Sequence, residues 1–224
     1  MARLPRLEMP GQLHYLIQRG HGGLDAHGVF ADAQDRDAFL AALQMAALAE
    51  AVQVHAYALL DHEVQLLATP TQPGALGRMV QAVGRRYTSA FNRRHQHRGT
   101  LWDGRYRCAV LEPGPRRLAA LRLVDGQSAE PGVTSAGQRS GAARPSLLLA
   151  DLPELWALGN TPFEREAAYA ALLQTSLPGA DADALRKAAL GGWAAGSVAF
   201  AATVAEATAR PAKPRRRGRP RSGA

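Results

Sequence analysis

Between Arg85 and Arg107 the chain carries seven arginines, four aromatic residues and a single acid, Asp103. Arginine neutralises phosphate, and aromatic rings stack on unpaired bases, so this mixture suits a nucleic-acid strand. From Leu76 to Arg94, the apolar residues Leu76, Met79, Val83, Tyr87 and Phe91 recur at helical intervals and form one face. Arg78, Arg85, Arg86 and Arg93 fall on another, because spacings of seven and eight return to nearly the same azimuth. Residues 100–111 read as a strand, with Tyr106, Cys108 and Val110 on one side and Arg105 and Arg107 on the other. The expected contacts to DNA are Arg78, Arg85, Arg86, Asn92, Arg93, Arg94, Arg105 and Arg107, with Trp102 or Tyr106 stacking on bases. His95 and His97 share the i, i+2 spacing of a metal pair, but they follow the basic helix in a turn, where phosphate contact is expected.

Charge is distributed to the same effect. Residues 1–75 hold four arginines against eight acids, a net −4, and residues 76–122 hold eleven against two, a net +9. Residues 123–209 return to −4, with five basic residues and nine acids, and the tail from Arg210 carries seven basic residues and no acid. Two basic zones on a weakly acidic body point to a polyanionic partner more strongly than the total of +8 does. The tail includes Arg215, Arg216, Arg217, Arg219 and Arg221. Its Arg-Gly-Arg-Pro-Arg run resembles a minor-groove hook, and an unspecific basic tether fits it equally well. One cysteine, Cys108, excludes a disulfide framework and reads as a small buried residue. The first residues lack an apolar signal core, and no stretch reaches the roughly 18 apolar residues of a membrane span. A cytoplasmic location is expected.

The elements that must hold these residues follow from periodicity. Residues 13–18 read as a strand. A helix capped by Asp32 or Asp35 runs to about Ala51, with Phe39, Leu40, Leu43 and Ala47 on one face. Residues 52–69 alternate at period two around Asp61-His62, a β-hairpin. The basic helix, the strand at 100–111 and a helix at 115–124 complete the order strand, helix, strand, strand, helix, strand. That order is the α+β, ferredoxin-like split β-α-β arrangement, in which an antiparallel sheet has helices on one face and leaves the other free to bind. The expected division is a domain at 1–125, a loose Gly/Ser/Ala/Pro-rich linker at 126–147, a helical appendage at 148–209 and a basic disordered tail at 210–224. In the appendage, Leu148–Leu158 and residues 181–190 and 193–208 read as helices, and Thr161 with Glu164 forms a capping box. His14 and His55, on strands, read as core histidines, and Tyr87 as a packing residue.

Several segments, in order, resemble the transposase-like proteins associated with repetitive extragenic palindromes, single-tyrosine transposases of the HUH class. They are Arg3-Leu-Pro-Arg, Pro10-Gly-Gln, Gln18-Arg-Gly, Val54-His-Ala-Tyr, Gly84-Arg-Arg-Tyr, Phe91-Asn-Arg-Arg and Gly99-Thr-Leu-Trp-Asp-Gly-Arg-Tyr-Arg. Further along come Leu158-Gly-Asn-Thr-Pro-Phe-Glu-Arg and Gly192-Trp-Ala-Ala-Gly-Ser. The resemblance implies mobile-element chemistry: two histidines at i and i+2 on a central strand hold a divalent metal, and a tyrosine on a later helix attacks the scissile phosphate. Here the histidine positions align with Glu63 and Gln65, and the tyrosine position with Leu123. Glu63 could hold Mg²⁺ or Mn²⁺ through oxygen, whereas Gln65 is a poor substitute. Leucine cannot be a nucleophile.

The expectation is therefore a DNA-binding member of the transposase family, recognising hairpin or palindromic DNA without cutting it, with no cofactor and with a homodimer as one state the family adopts. Three alternatives stay open. One is an active transposase or nickase that uses Glu63 with Mg²⁺ or Mn²⁺ and a displaced tyrosine, Tyr87 or Tyr106. Another is an RNA-binding regulator on the same sheet, and the third is a protein-interaction module with an acidic partner.

Overall fold

The computed structural model describes residues 5–22, 28–144 and 146–214. Thirteen elements follow one another: β1 (His14–Arg19), α1 (Ala33–Ala49), β2 (Val52–Leu60), β3 (Glu63–Pro70), α2 (Ala75–His95), β4 (Arg107–Leu111), α3 (Pro115–Asp125), α4 (Ala136–Arg139), α5 (Pro153–Trp156), α6 (Pro162–Gln174), α7 (Gly179–Gly191), β5 (Ala194–Ala195) and α8 (Val198–Thr208). The sheet order is β2-β3-β1-β4-β5. The first four strands pair antiparallel, and β5 adds a short parallel rung beside Val110 and Leu111. This is the expected ferredoxin-like α+β arrangement, extended by one strand.

Local signals explain the first half. Asp32 caps α1 by accepting a hydrogen bond from the Asp35 amide. The helix then buries Phe39, Ala42, Leu43 and Ala46 at helical spacing. Asp61 and His62 make the tight β2–β3 turn, and Gly28 lets the preceding loop lie against it. A methyl group on Gly28, whose φ is +64°, would fall 1.8 Å from the Asp61 carbonyl oxygen. Leu76, Met79, Val83, Tyr87 and Phe91 form the buried stripe of α2. Arg93, Arg94 and His95 occupy its last turn, where cations complement the helix dipole.

The sheet has no free face. α1 and α2 cover one side through Leu16, Leu59, Val64 and Leu66. On the other, Leu13, Tyr15, Ile17, Ala56, Ala58, Leu67 and Ala109 are buried under α3 and α7, with α6 packed outside α3. The reason lies in the strands: Leu13 to Ile17 are all buried, and the one polar residue among them, His14, is buried too.

The described residues of the 126–147 segment are likewise tied down. Val133 is buried, its carbonyl accepts the Leu59 amide, and Thr134 bridges to Ala58. Beneath this segment Asp125 accepts hydrogen bonds from Ser135 Oγ (2.5 Å), Arg139 Nη1 (2.9 Å) and Tyr169 O–H (2.6 Å), a network joining α3, α4 and α6.

Further on, the predicted helix at Leu148–Leu158 shrinks to the single turn of α5, because Leu149 and Ala150 pair with the edge strand at Val54. The capping box of Thr161 and Glu164 forms as expected and starts α6. β5 takes two residues from the helix expected at 193–208. The strand expected at 100–111 is regular only from Arg107; before it, Gly99 and Gly104 adopt left-handed backbone and break the pairing, leaving an isolated bridge between Trp102 and Gly20. The tail arginines Arg215, Arg216, Arg217, Arg219 and Arg221 lie outside the described residues. No described helix is long and apolar enough to cross a membrane.

Candidate nucleic-acid interface

The structure divides the arginines of the basic region into two groups. Arg85 and Arg93 on α2, Arg98 and Arg105 in the loop after it, and Arg107 on β4 are exposed and make no ion pair or hydrogen bond among the described residues. The rest serve the fold. Arg94 forks onto Asp32 and Asp35, at 2.6 Å from Asp35, and ties the end of α2 to the start of α1. That guanidinium holds the Asp32 carboxyl down to about 2. Arg78 pairs with Glu50 at 2.5 Å, and Arg86 lies against Met45 Sδ.

Three other expected contacts are also taken. Asn92 donates to the Gly99 carbonyl and bonds His97 Nδ1, holding the turn after α2. His95 bonds Asp35, so neither histidine stands free for phosphate. The acids in these pairs lie far from α2 in sequence, so residue types along the helix give no sign of them. His14 and His55 are core residues as expected: both are bonded through backbone or hydroxyl groups, and burial lowers each to about 4.

Trp102 and Tyr106 do not offer open ring faces. Trp102 packs among Phe39 and Tyr87. Tyr106 is 4% exposed, and Arg6 covers its ring at 4.1 Å. Arg6 also turns toward a cleft of about 470 Å³ at the exposed end of β4, beside Trp193. Arg6, Arg19, Arg105, Arg107 and Arg210 line this cleft against one acid, Asp103. Arg6 and Arg19 come from the start of the chain and Arg210 from near its other end, and only the fold brings them to Arg105 and Arg107. Five cations around one concavity make it a phosphate-attracting site by simple electrostatics.

The positions of family chemistry lie on the sheet's other face, and period two does turn both toward α7. Gln65 is fully buried; its amide donates to Glu63 Oε1 (2.8 Å) and its carbonyl accepts from Tyr15 O–H (2.7 Å). Arg186 of α7 forks onto both oxygens of Glu63 at 2.9 and 3.2 Å, and Arg19 approaches at 3.6 Å. Tyr15 and Arg186 were not among the expected site residues.

These donors do not fit a divalent metal. One carboxylate is already shared by two guanidiniums, and one amide is spent on Tyr15 and Glu63. No cluster of three His, Cys, Asp or Glu side chains gathers among the described residues. Leu123 is buried in the core. Tyr15 is 0% exposed, and burial raises its hydroxyl well above the ordinary tyrosine value. Tyr87, buried too, donates to the Val29 carbonyl. Burial likewise pushes the Cys108 thiol up to about 12, as an inert core thiol requires.

The chain matches no family model, and no curated protein matches it. Its fold is similar to the structure of a REP-associated tyrosine transposase bound to a REP hairpin, with a TM-score of 0.51 and 8% identity, over 68% of this chain and 93% of that one. A crystal structure from Deinococcus radiodurans R1, described as a candidate transposase, is 23% identical over 52% of this chain and 91% of that chain, with a TM-score of 0.37. The first likeness is one of fold.

Proposed function

We propose that this protein binds DNA, in the form of hairpins or palindromes, and is a member of the HUH transposase family that has lost strand cleavage. The observation that carries the proposal is the contrast between two surfaces. Arg85 and Arg93 of α2, Arg98 and Arg105 of the following loop and Arg107 of β4 are solvated and make no ion pair or hydrogen bond among the described residues. The positions where a metal and a nucleophile belong are filled by a closed Glu63–Gln65–Tyr15–Arg186 network and by Leu123. Fold similarity to a transposase bound to a hairpin supports the reading. Phosphates would be held by Arg85, Arg93, Arg98, Arg105 and Arg107, with the cleft arginines Arg6, Arg19 and Arg210 at one end. Mg²⁺ or Mn²⁺ has no part in this function.

The test is incubation with hairpin and unstructured oligonucleotides of DNA and RNA, with and without Mn²⁺, resolved on native and denaturing gels. The expected result is retention of DNA hairpins, independent of Mn²⁺, with intact oligonucleotide. Failure to retain DNA at low ionic strength would refute binding. A covalent protein–DNA adduct would refute the loss of cleavage, and tighter retention of the matched RNA hairpin would reassign the ligand.

A further inference from the structure

A cavity of about 1260 Å³ lies between α2 and the sheet, walled by Leu16, Val64 and Leu66 of the strands, Leu43 of α1, and Met79 and Val83 of α2. It is a cleft half open to solvent, and ligand sites are concave clefts of this order of size, apolar with a few placed polar groups. α2 turns two glycines toward it, Gly77 and Gly84, two turns or about 10 Å apart along the axis. Opposite each is a buried polar atom with no hydrogen-bond partner. A methyl group on Gly84 would lie 3.6 Å from Trp102 Nε1, and one on Gly77 would lie 3.9 Å from the Tyr106 hydroxyl. Arg6 and Arg105 stand beside Tyr106, and among the described residues Glu8 is the only acid in the lining.

The walls select the ligand. A nucleobase has donors and acceptors around its whole edge, and aliphatic walls would leave most of them unpaired. An apolar body about 10 Å long fits them. An indole N–H only donates, and a tyrosine hydroxyl can donate, so the ligand must bring acceptors. The arginines at the Tyr106 end favour a negative charge there.

We propose that this cavity binds an amphipathic monoanion, an aromatic or aliphatic body carrying one acid group. The body lies under α2 between Gly77 and Gly84. The acid oxygens accept from Tyr106 O–H and are neutralised by Arg6 and Arg105. Trp102 Nε1–H meets the far end. The site borders the exposed arginine band and shares Arg85 and Arg105 with it, but the titration that tests it contains no nucleic acid, so its outcome does not depend on what that band binds.

The probe is 8-anilinonaphthalene-1-sulfonate, an aromatic body with one acid group, titrated into the full-length protein and followed by fluorescence. The expected result is saturable binding of one dye per chain, displaced by dodecanoate. Gly77→Leu and Gly84→Leu fill the cavity, and each should weaken the dye at least tenfold. Neither glycine has a left-handed backbone, and leucine favours a helix more than glycine does, so both variants should keep their unfolding midpoint. If either unfolds, Trp102→Phe and Tyr106→Phe decide by the same titration, each with an expected loss of threefold or more. The neutral dye N-phenyl-1-naphthylamine should bind wild type at least fivefold more weakly than the sulfonate, and the Arg6→Ala/Arg105→Ala variant should abolish that preference. Unchanged sulfonate binding in folded cavity-filled variants, or in the Trp102 and Tyr106 variants, would overturn the site. Equal binding of the two dyes to wild type would overturn the anionic ligand.

Discussion

The division of the arginines into free and paired groups predicts how affinity responds to salt. Each phosphate contact releases condensed counterions, so log affinity falls with log salt by about 0.9 per contact on a duplex stem and about 0.7 on a single strand. Replacing Arg85, Arg93, Arg105 and Arg107 by alanine should therefore flatten the slope by about 3 to 4 for a DNA hairpin. Between 50 and 200 mM salt, a slope change of 3.6 corresponds to a difference of about 150-fold between the affinity losses of wild type and variant. The control is Arg78→Ala/Arg94→Ala on the same elements. Those guanidiniums are held by Glu50 and by Asp32 and Asp35, so the slope should stay within about one unit of wild type while the melting temperature falls. Fluorescence anisotropy of a labelled hairpin at four or five salt concentrations gives both slopes. Equal slopes for wild type and the quadruple variant, or equal flattening in both variants, would refute the assignment.

Acid should destabilise the fold through two histidines. His14 and His55 are buried neutral at about 4, so between their unfolded value near 6.5 and pH 4 the unfolded chain binds more protons and stability falls as pH falls. Each should cost about 2 kcal/mol between pH 7.5 and pH 5, measurable by urea unfolding, and His55→Asn should shallow that dependence by roughly half; an unchanged pH dependence would contradict the burial. Asp125→Asn leaves Arg139 buried without its counter-charge and should cost about 3–5 kcal/mol, with Tyr169→Phe costing about 1–2 kcal/mol; a loose, dispensable segment at 126–147 would show neither effect. Arg186→Ala should cost about 1–2 kcal/mol, below a fully buried pair because the side chain is 32% exposed. Added Mn²⁺ should not restore that loss, and recovery of the melting temperature with Mn²⁺ would show that Glu63 and Gln65 do hold metal.

Sequence revealed the fold where the signal was local and periodic. Leu76, Met79, Val83, Tyr87 and Phe91 mark the buried face of α2 without outside help, and Thr161 with Glu164 marks the start of α6. The Asp61-His62 turn set the hairpin register, so Glu63 and Gln65 were placed on a common face. What escaped depends on partners distant in the chain. Arg94 looks like its neighbour Arg93, and only α1 packing, 59 residues away, commits it to Asp35. Arg186 reads as one charge on an ordinary helix until α7 crosses β1 and β4 and delivers it to Glu63, 123 residues back. The covered second face did leave a trace: the run Leu13–Ile17, apolar but for His14, signals a strand buried on both sides, and the ferredoxin-like pattern alone suggested an open one.

The covered face and the occupation of Glu63 are linked by electrostatics. A site that activates a phosphate must admit water, metal and substrate, and the helix lying across it must yield. Here α7 approaches closely enough for Arg186 to meet both oxygens of Glu63, while Tyr15 closes on Gln65 beneath it. A guanidinium placed there supplies positive charge to the carboxylate but offers no open coordination position, so it neutralises Glu63 without activating anything. Once that pair forms, the strands on this face pack as an ordinary core, to which Leu123, the position the resemblance gives to a tyrosine, belongs. Binding is under no such constraint, because the unpaired arginines project from elements on the opposite side and around the β4 cleft. On the proposed reading the sheet has lost one activity and kept the other, and the Arg186→Ala and Arg85/Arg93/Arg105/Arg107 variants separate the two: the first should change stability and leave the salt slope intact, and the second should do the reverse.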